Sequence, residues 1–154
     1  MSNSGHNTIS IVLPTYNESQ NIVPLINKLL EFSDLYELEL IVVDDNSNDG
    51  TTTLVKDISQ KDKRIRLLYR IDRSGLSSAI KEGILNSTGQ IIAIMDSDGQ
   101  HEPNAIIEAV KELNINRLDL VIGSRFLKNS KLKGLSSSRK KGSALANNLA
   151  RLSL

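Results

Sequence analysis

Five short apolar runs, separated by longer segments with helical spacing, limit what this chain can fold into more than any other feature. The runs cover residues 9–13, 38–43, 65–69, 91–95 and 118–122. Most of them are nearly continuous in Ile, Val and Leu rather than alternating, which is typical of parallel strands buried on both faces. Each run is therefore predicted to be a strand of a mainly parallel sheet.

The segments between the runs carry apolar residues at the spacing of amphipathic helices. This pattern recurs at residues 22–30, 76–84 and 106–113, with a shorter stripe at 54–58. Ser47 or Asp49 can cap the shorter helix, and Pro103 suits the first turn of the helix that follows it. Strand–helix alternation repeated four times predicts an α/β fold, a Rossmann-like three-layer α/β/α structure with a mainly parallel sheet.

Composition excludes several other classes of protein. The chain has 154 residues, the size of one ordinary domain, and its 39% hydrophobic and 24% charged residues indicate a globular protein. It has no Cys, which excludes a disulfide scaffold and a Cys-ligated metal site. No apolar run approaches the length of about 18 residues that spans a membrane. Since residues 1–8 are polar, we expect a cytoplasmic protein, or one peripheral to the cytoplasmic face of a membrane.

Charge sets the last part of the chain apart. All 18 acidic residues lie at or before Asp119, and eight basic residues with no acid follow it. We expect a flexible N-terminus at residues 1–8, a globular core at 9–127, and a basic loop with an amphipathic helix at 128–154. The basic end suggests an anionic partner, which charge alone leaves open as phosphate, lipid or nucleic acid, against the alternative of a solvated tail.

Polar clusters follow four of the five predicted strands. They lie at residues 14–18, 44–51, 96–101 and 123–125. Right-handed crossovers bring the carboxyl ends of parallel strands to one edge of the sheet, and ligands bind at that edge. We therefore expect the four clusters to form one ligand site.

Asp96 and Asp98 directly follow the fourth run, with one residue between them. Two carboxylates at a strand end can face one hard cation, and Mg²⁺ or Mn²⁺ takes one or two carboxylates together with phosphate oxygens of a substrate. Gln100 adds an amide oxygen for the same ion or for a phosphate, while His101 is either a base, a ligand or a residue that shapes the turn. Helix capping is the alternative for the two acids.

The other clusters contain groups suited to a nucleotide. Asp44 and Asp45 face opposite ways in an extended chain, so we expect Asp45 to accept hydrogen bonds from a nucleoside and Asp44 to support the loop. Tyr16 can stack on a base or be a partly buried core aromatic, and Glu18 can accept from ribose hydroxyls. Arg125 suits a phosphate, or an ordinary surface ion pair.

Taken together, these clusters resemble the family 2 glycosyltransferases of the GT-A fold. No Gly-x-Gly-x-x-Gly follows the first run, which argues against a dinucleotide-binding domain. The continuation after Asp98 points to the dolichol-phosphate mannosyltransferase-like branch of the family. The segments that match in order and spacing are 11–18, 42–51, the triplet Asp96-Ser97-Asp98 with Gln100, His101 and Pro103, and 123–125, with 75–83 similar to the family's Gly-rich turn and helix.

The resemblance implies a hexosyltransferase that depends on Mg²⁺ or Mn²⁺. It would move a sugar from a nucleotide-diphosphate sugar, of the GDP-mannose or UDP-sugar type, to a polyprenyl or dolichyl phosphate. Residues 9–127 would be its nucleotide-sugar-binding core, and 128–154 a shortened acceptor- and membrane-facing part with weak contact to an anionic membrane surface. No nucleic acid partner is expected, and a donor-binding module without turnover is the alternative.

The resemblance also implies a role for each matching residue. Residues expected to line the nucleoside pocket are Pro14, Tyr16, Glu18, Val43 and Asp45. Residues expected to hold the metal and the diphosphate are Asp96, Ser97, Asp98 and Gln100, with Asp96 and Asp98 as the catalytic pair. Residues expected to contact phosphates of the donor or of the acceptor lipid are Arg125 and Arg139.

Overall fold

The computed structural model of the chain describes residues 8–72 and 75–123. Strands and helices alternate through four repeats, as the sequence predicts. In chain order the elements are β1 (Thr8–Thr15), α1 (Ile22–Leu30), a short 3-10 helix (Glu31–Asp34), β2 (Glu37–Asp44), α2 (Thr51–Lys61), β3 (Ile65–Tyr69), α3 (Leu76–Leu85), β4 (Ile91–Ile94) and α4 (Asn104–Ile115).

The four strands form one parallel sheet in the order β3-β2-β1-β4. β1 pairs with β2 along its whole length, from Thr8 opposite Glu37 to Thr15 opposite Asp44. The chain moves outward from β1 through β2 and β3, and then returns to the other side of β1 as β4. The strand order therefore reverses between β1 and β4, and in open α/β sheets ligands bind outside the carboxyl ends of the strands at such a reversal.

Helices cover both faces of the sheet. On one face Ile9, Ile11 and Leu13 of β1 belong to a buried core that includes residues of α1, α2 and α4. On the other face Val12 of β1 packs in a second buried cluster with Ala79 of α3. This arrangement confirms the predicted α/β/α layers and the mainly parallel sheet.

Helix α3 lies very close to the sheet at Gly83. A Cβ atom on Gly83 would lie 2.3 Å from Cγ1 of Val12 and 3.2 Å from Cγ2 of Val43. Real Cβ atoms do not approach other heavy atoms so closely, so only glycine fits at this position. The absence of a side chain on Gly83 thus sets the distance between α3 and the two central strands.

The predicted fifth strand at residues 118–122 is wrong. In the part of the chain that the structure describes, these residues join no sheet ladder, and the Leu118 N–H donates instead to the carbonyl oxygen of Leu113 at the end of α4. Leu118, Leu120 and Ile122 are exposed. The apolar run meets the side-chain requirement of a strand, but a strand also needs a neighbour for its backbone hydrogen bonds.

The described elements belong to a compact unit that ends at Val121, and only Ile122 and Gly123 of a second unit are described. The predicted boundary at residue 127, the basic segment at 128–154, and both Arg125 and Arg139 lie outside the described residues. Across residues 8–72 and 75–123, no helix is both long enough and apolar enough to cross a bilayer.

Candidate functional site

The loops that follow β1 and β2 are joined directly to each other. Asn17 adopts a left-handed conformation with φ 56°, which asparagine tolerates better than most residues and which lets the first loop turn toward the second. The connecting bonds are Asn17 N to Ser47 Oγ at 2.8 Å, Glu18 N to Thr51 Oγ1 at 2.9 Å, Ser19 N to Asp49 Oδ2 at 3.0 Å, and Asn48 N to Asn17 Oδ1 at 3.0 Å. Two of the predicted clusters therefore form a single surface.

Asp49 accepts hydrogen bonds from both loops. Its carboxylate accepts from the Thr51 hydroxyl at 2.6 Å, from the Ser19 N–H and from the Thr51 N–H, and these bonds hold the pKa of Asp49 far below its ordinary value of 3.8. The N-cap of α2 is Gly50, with φ 96°, so neither Ser47 nor Asp49 occupies the predicted cap position. Asp49 still supports the helix, because it accepts the N–H of its first residue.

Asp44 is fully buried at the end of β2. Its carboxylate accepts from the N–H of Ser47 at 3.2 Å, from the Ser47 hydroxyl at 2.5 Å, and from the Thr52 hydroxyl at 2.6 Å. These bonds fasten the second loop to the start of α2. Asp44 thus has the supporting role that the sequence predicts for it.

Asp45 lies next to Asp44 but belongs to a different network. Its Oδ1 pairs with Nη1 of Arg70 at 2.5 Å, and its Oδ2 accepts from the backbone N–H of Gly75 at 2.9 Å. Arg70 also donates from Nη2 to the Ser78 hydroxyl at 2.5 Å, and its Nε lies 3.2 Å from Oε2 of Glu82. The carboxylate is therefore held between the ends of β2 and β3 and the beginning of α3.

Arg70 is not among the residues predicted from the sequence. Arg70 directly follows β3, and its N–H donates to the carbonyl oxygen of Asp44 at 2.9 Å. A signal was available, because the strand-end rule that selects the other clusters applies equally to the third strand. In the sequence Arg70 is followed by Asp72, Arg73 and Ser74, so a polar cluster follows the third run as it follows the others.

Asp96 and Asp98 follow β4 and are both partly exposed. Oδ2 of Asp96 lies 3.5 Å from Nε2 of His101, and Oδ1 of Asp98 accepts from the N–H of Gln100 at 2.9 Å. Among the described residues no group of three or more His, Asp or Glu side chains is placed to hold a metal ion. A cation bound by the two acids would therefore need further ligands, and phosphate oxygens are the kind that Mg²⁺ and Mn²⁺ accept. The two exposed carboxylates fit such an ion.

Ser97, between these two acids, faces the interior. It is buried, and its hydroxyl donates to the carbonyl oxygen of Pro14 at 2.8 Å. Pro14 is itself buried within β1, and Val43 is fully buried among the residues that pack under α3. The structure gives all three residues an interior role, and their expected contacts with a ligand stay predictions.

Tyr16 and Glu18 lie in the loop after β1, beside the point where the strand order reverses. Tyr16 is 60% exposed, so the alternative that it is a core aromatic is wrong. Oε2 of Glu18 accepts from Nδ2 of Asn21 at 2.7 Å. A Cβ built on Gly99, in the loop after β4, would lie 3.4 Å from Oδ1 of Asn21. The loops after β1 and β4 therefore meet at Asn21.

A cavity of about 460 Å³ lies at the opposite edge of the sheet. Its lining includes Thr8 of β1, Glu37 of β2 and Thr88 ahead of β4, all at the amino ends of their strands. Ligands of open parallel sheets bind at the carboxyl ends. None of the expected site residues lines this cavity, so the candidate site is the edge that carries Tyr16 and Asp98.

Two solved structures share this fold. A mannosyltransferase from Pyrobaculum calidifontis, in complex with GDP-Man and Mn²⁺, is 28% identical, with a TM-score of 0.61 over 71% of this chain and 33% of that chain. A glucosyl-3-phosphoglycerate synthase from Mycobacterium tuberculosis, in complex with Mn²⁺, UDP and glucosyl-3-phosphoglycerate, is 27% identical. Its TM-score is 0.55, over 70% of this chain and 39% of that chain. The GT-A fold that the sequence predicts is confirmed.

Sequence relatives also include glycosyltransferases. A dolichol-phosphate mannosyltransferase from Pyrococcus furiosus is 34% identical over 92% of this chain, and one from Saccharomyces cerevisiae is 33% identical over 76%. The chain spans only 41% and 44% of the length of these two proteins. Residues 10–151 match the glycosyl transferase family 2 model. The chain therefore belongs to glycosyl transferase family 2.

Proposed function

We propose that this chain binds a nucleotide-diphosphate sugar, of the GDP-mannose or UDP-sugar type, and transfers its sugar to a polyprenyl or dolichyl phosphate. The observation that carries the proposal is the position of Asp96 and Asp98. These partly exposed acids follow β4, next to the loop of Tyr16 and Glu18, at the reversal of strand order. A diphosphate and its cation suit that edge of an α/β sheet.

Asp96 and Asp98 would hold Mg²⁺ or Mn²⁺, with Gln100 as a further oxygen ligand. The bound ion would neutralise charge that develops on the leaving diphosphate. The protein's own contribution is to hold the two carboxylates at a fixed strand end, through the inward hydrogen bond of Ser97. Groups aligned before the reaction do not need to reorganise during it, and this preorganisation is a large part of catalysis.

The nucleoside would lie along the loops after β1 and β2. Tyr16 offers an exposed aromatic face for a base, and the carboxylates of Glu18 and Asp45 can accept from ribose hydroxyls or a base N–H. Pro14 and Val43 would shape the wall of this pocket from within the sheet. Arg125 and Arg139 are proposed to contact phosphates of the donor or of the acceptor lipid.

The acceptor part of the proposal rests on the relatives named dolichol-phosphate mannosyltransferase. A phosphate acceptor is already an anion, so the transfer does not require a strong general base. The eight basic residues after Asp119 would give weak, reversible contact with an anionic membrane surface, each contributing about 1 kcal/mol when close to it. The protein would then work in the cytoplasm, at the cytoplasmic face of a membrane.

Donor binding without turnover is the second candidate function. It is favoured by the described site residues themselves, since Tyr16, Asp45 and Asp98 are all proposed to contact the donor or its metal ion. Both candidates require the same donor contacts, so they differ only in whether a sugar is transferred. A transfer assay with GDP-mannose or UDP-glucose and a polyprenyl phosphate separates them.

Thermal unfolding with and without nucleotides tests the common part of the proposal. GDP, UDP, GDP-mannose and UDP-glucose would each be added in Mn²⁺ and in EDTA. A ligand at a hundred times its Kd stabilises the native state by about 2.7 kcal/mol, and the melting temperature rises accordingly. We expect at least one of the four to raise it, more strongly with Mn²⁺. If none of the four changes it under either condition, the proposed function is wrong.

A further inference from the structure

Two arginines with similar contacts link α3 to the sheet. Arg66 lies within β3 and Arg70 directly follows it, so their spacing of four residues puts both on one face. Arg66 pairs with Glu39 of β2 at 2.5 Å. Its Nη1 also donates a 2.8 Å hydrogen bond to the carbonyl oxygen of Asn86, the C-cap residue of α3. Arg70 pairs with Asp45 after β2 and reaches the beginning of α3. Each arginine thus joins a carboxylate, one within β2 and one directly after it, to one end of the helix.

The two arginines differ sharply in burial. The side chain of Arg66 is 38% exposed, whereas that of Arg70 is 2% exposed. A buried guanidinium depends on its partners, because an unpaired charge in the interior is strongly unfavourable. Arg70 donates hydrogen bonds to Asp45 and Ser78, and the carboxylate of Glu82 lies 3.2 Å from its Nε as an ion-pair partner without a hydrogen bond. The pair of Arg70 and Asp45 is therefore a fixed part of the fold, at the edge where the donor is proposed to bind.

Asp45 is held from two sides. Arg70 contacts Oδ1, and the N–H of Gly75 donates to Oδ2. Gly75 has φ 116° and ψ 134°, a backbone conformation open mainly to glycine, and it is the N-cap residue of α3. A carboxylate has about four acceptor positions, so about two remain after these contacts. The side chain of Asp45 keeps 10% of its surface exposed, through which another donor can reach it.

We propose that Arg70 is a positioning residue for donor binding, an inference that rests on the function proposed above. Arg70 fixes the orientation of the Asp45 carboxylate, so that its remaining acceptor positions are already in place when a nucleoside arrives. Binding then loses no conformational entropy of the Asp45 side chain. A preorganised site gains affinity because this cost is absent. Arg70 does not itself touch the donor, because its side chain is buried.

Replacing Arg70 with Lys keeps the charge but removes the guanidinium fork that donates to Asp45 and Ser78 at once. Calorimetric titration with GDP and with UDP, in EDTA, measures the nucleotide contacts apart from the metal. For the nucleotide that the parent binds better, we expect Arg70→Lys to weaken affinity by at least about tenfold. Arg66→Lys is the matched control, because it loosens the other end of α3, and its affinity should stay within about twofold of the parent.

The Asp45→Asn background separates positioning from a general loosening of the fold. In that background the link to the guanidinium is already weakened, so Arg70→Lys should cost much less affinity than it does in the parent. An equal loss in both backgrounds would mean that Arg70 acts only through the stability of α3, and it would overturn the inference. If Arg70→Lys does not fold by circular dichroism, Arg70→Gln replaces it, since its amide can donate to Asp45 without burying a charge.

The outcomes separate this inference from the proposed function. If the parent binds GDP or UDP and Arg70→Lys binds it equally well, the role of Arg70 is wrong and the proposed function stands. If the parent binds neither nucleotide in Mn²⁺ or in EDTA, both fail together. A loss confined to Arg70→Lys, absent from Arg66→Lys and reduced in Asp45→Asn, supports the inference.

Discussion

The hydroxyl of Ser97 donates a 2.8 Å hydrogen bond to the carbonyl oxygen of Pro14. This bond joins the end of β4 to the end of β1, the two strands between which the strand order reverses. Asp96 and Asp98, on either side of Ser97, remain partly exposed at the same strand end. The buried Ser97 therefore anchors the backbone that carries the two partly exposed acids.

Ser97→Ala is expected to lower the free energy of unfolding by about 1–3 kcal/mol, because it removes one partner of a buried hydrogen bond. It should also weaken Mn²⁺-dependent nucleotide binding, since the acids lose their anchored neighbour. Urea unfolding and calorimetry measure the two effects. Ser59→Ala is the control, because Ser59 makes a comparable side-chain bond to the carbonyl of Lys56 that is exposed. Equal urea midpoints for Ser97→Ala and the parent would contradict the anchoring role.

Asp98→Asn is expected to reduce metal-dependent donor affinity by at least about tenfold, because it keeps the shape of the side chain and removes the charge that a hard cation requires. Titration of the nucleotide that the parent binds, in Mn²⁺ and then in EDTA, gives the metal-dependent part. Asp57→Asn, on an exposed position of α2, controls for the loss of one negative charge. The metal assignment fails if Asp98→Asn retains the affinity of the parent in Mn²⁺.

The stability difference between the parent and Asp49→Asn is expected to depend on pH. Hydrogen bonds from the Thr51 hydroxyl and from the N–H of Ser19 lower the pKa of Asp49 in the folded chain below its ordinary value of 3.8. A group with a lowered folded pKa contributes stability above its unfolded pKa, and that contribution is lost as the pH falls toward the folded pKa. The parent should therefore be more stable than Asp49→Asn at pH 7, and the difference should shrink below about pH 4.

Urea unfolding of the parent and Asp49→Asn across this pH range checks the expectation. Asp57→Asn again serves as the control, since its exposed carboxylate on α2 makes no hydrogen bond to the site loops within residues 8–72 and 75–123. A difference between the parent and Asp49→Asn that grows on acidification would have the wrong sign. It would show that the bonds from Ser19 and Thr51 do not favour the ionised carboxylate.

Gly83→Ala is expected to destabilise the protein by about 1–3 kcal/mol, the usual cost of overpacking, although alanine is the better helix former. The added methyl would lie 2.3 Å from Cγ1 of Val12. Shortening Val12 to Ala should relieve this clash. Gly83→Ala should therefore lower the free energy of unfolding less in a Val12→Ala background than in the parent. Gly123→Ala is the control, because among the described residues no atom lies within 4 Å of a Cβ at that position. Additive effects of Gly83→Ala and Val12→Ala in urea unfolding would argue against this contact.

The strands could be predicted from the sequence because strands buried on both faces are written as continuous apolar runs. β3 has the predicted bounds, and β1 extends the predicted run by one residue at its start and two at its end. The run at 118–122 has the same local character and forms no strand, because pairing depends on a neighbour that no local pattern specifies. Helices α1, α3 and α4 followed directly from their apolar spacing.

The site could be predicted only in part, for a related reason. The strand-end rule placed Asp45, Asp96 and Asp98 at the carboxyl ends of β2 and β4, and the structure has them there. It did not predict that Arg70 would pair with Asp45, since the two residues meet only when β2 and β3 align. It also did not predict that Ser97 would turn inward, because that direction follows from the register of β4 against β1. The contacts that the sequence did not predict are those between segments distant in the chain, and residue types alone do not specify them.

Helix α3 is fastened at both ends by arginines of the β3 region, and its middle rests on Val12 through Gly83. A helix held in this way cannot tilt or slide alone. Its amide hydrogens should therefore exchange with solvent together with those of β3, in one cooperative opening. β3 and α3 then form a single rigid support beneath the loops that carry Tyr16 and Asp98.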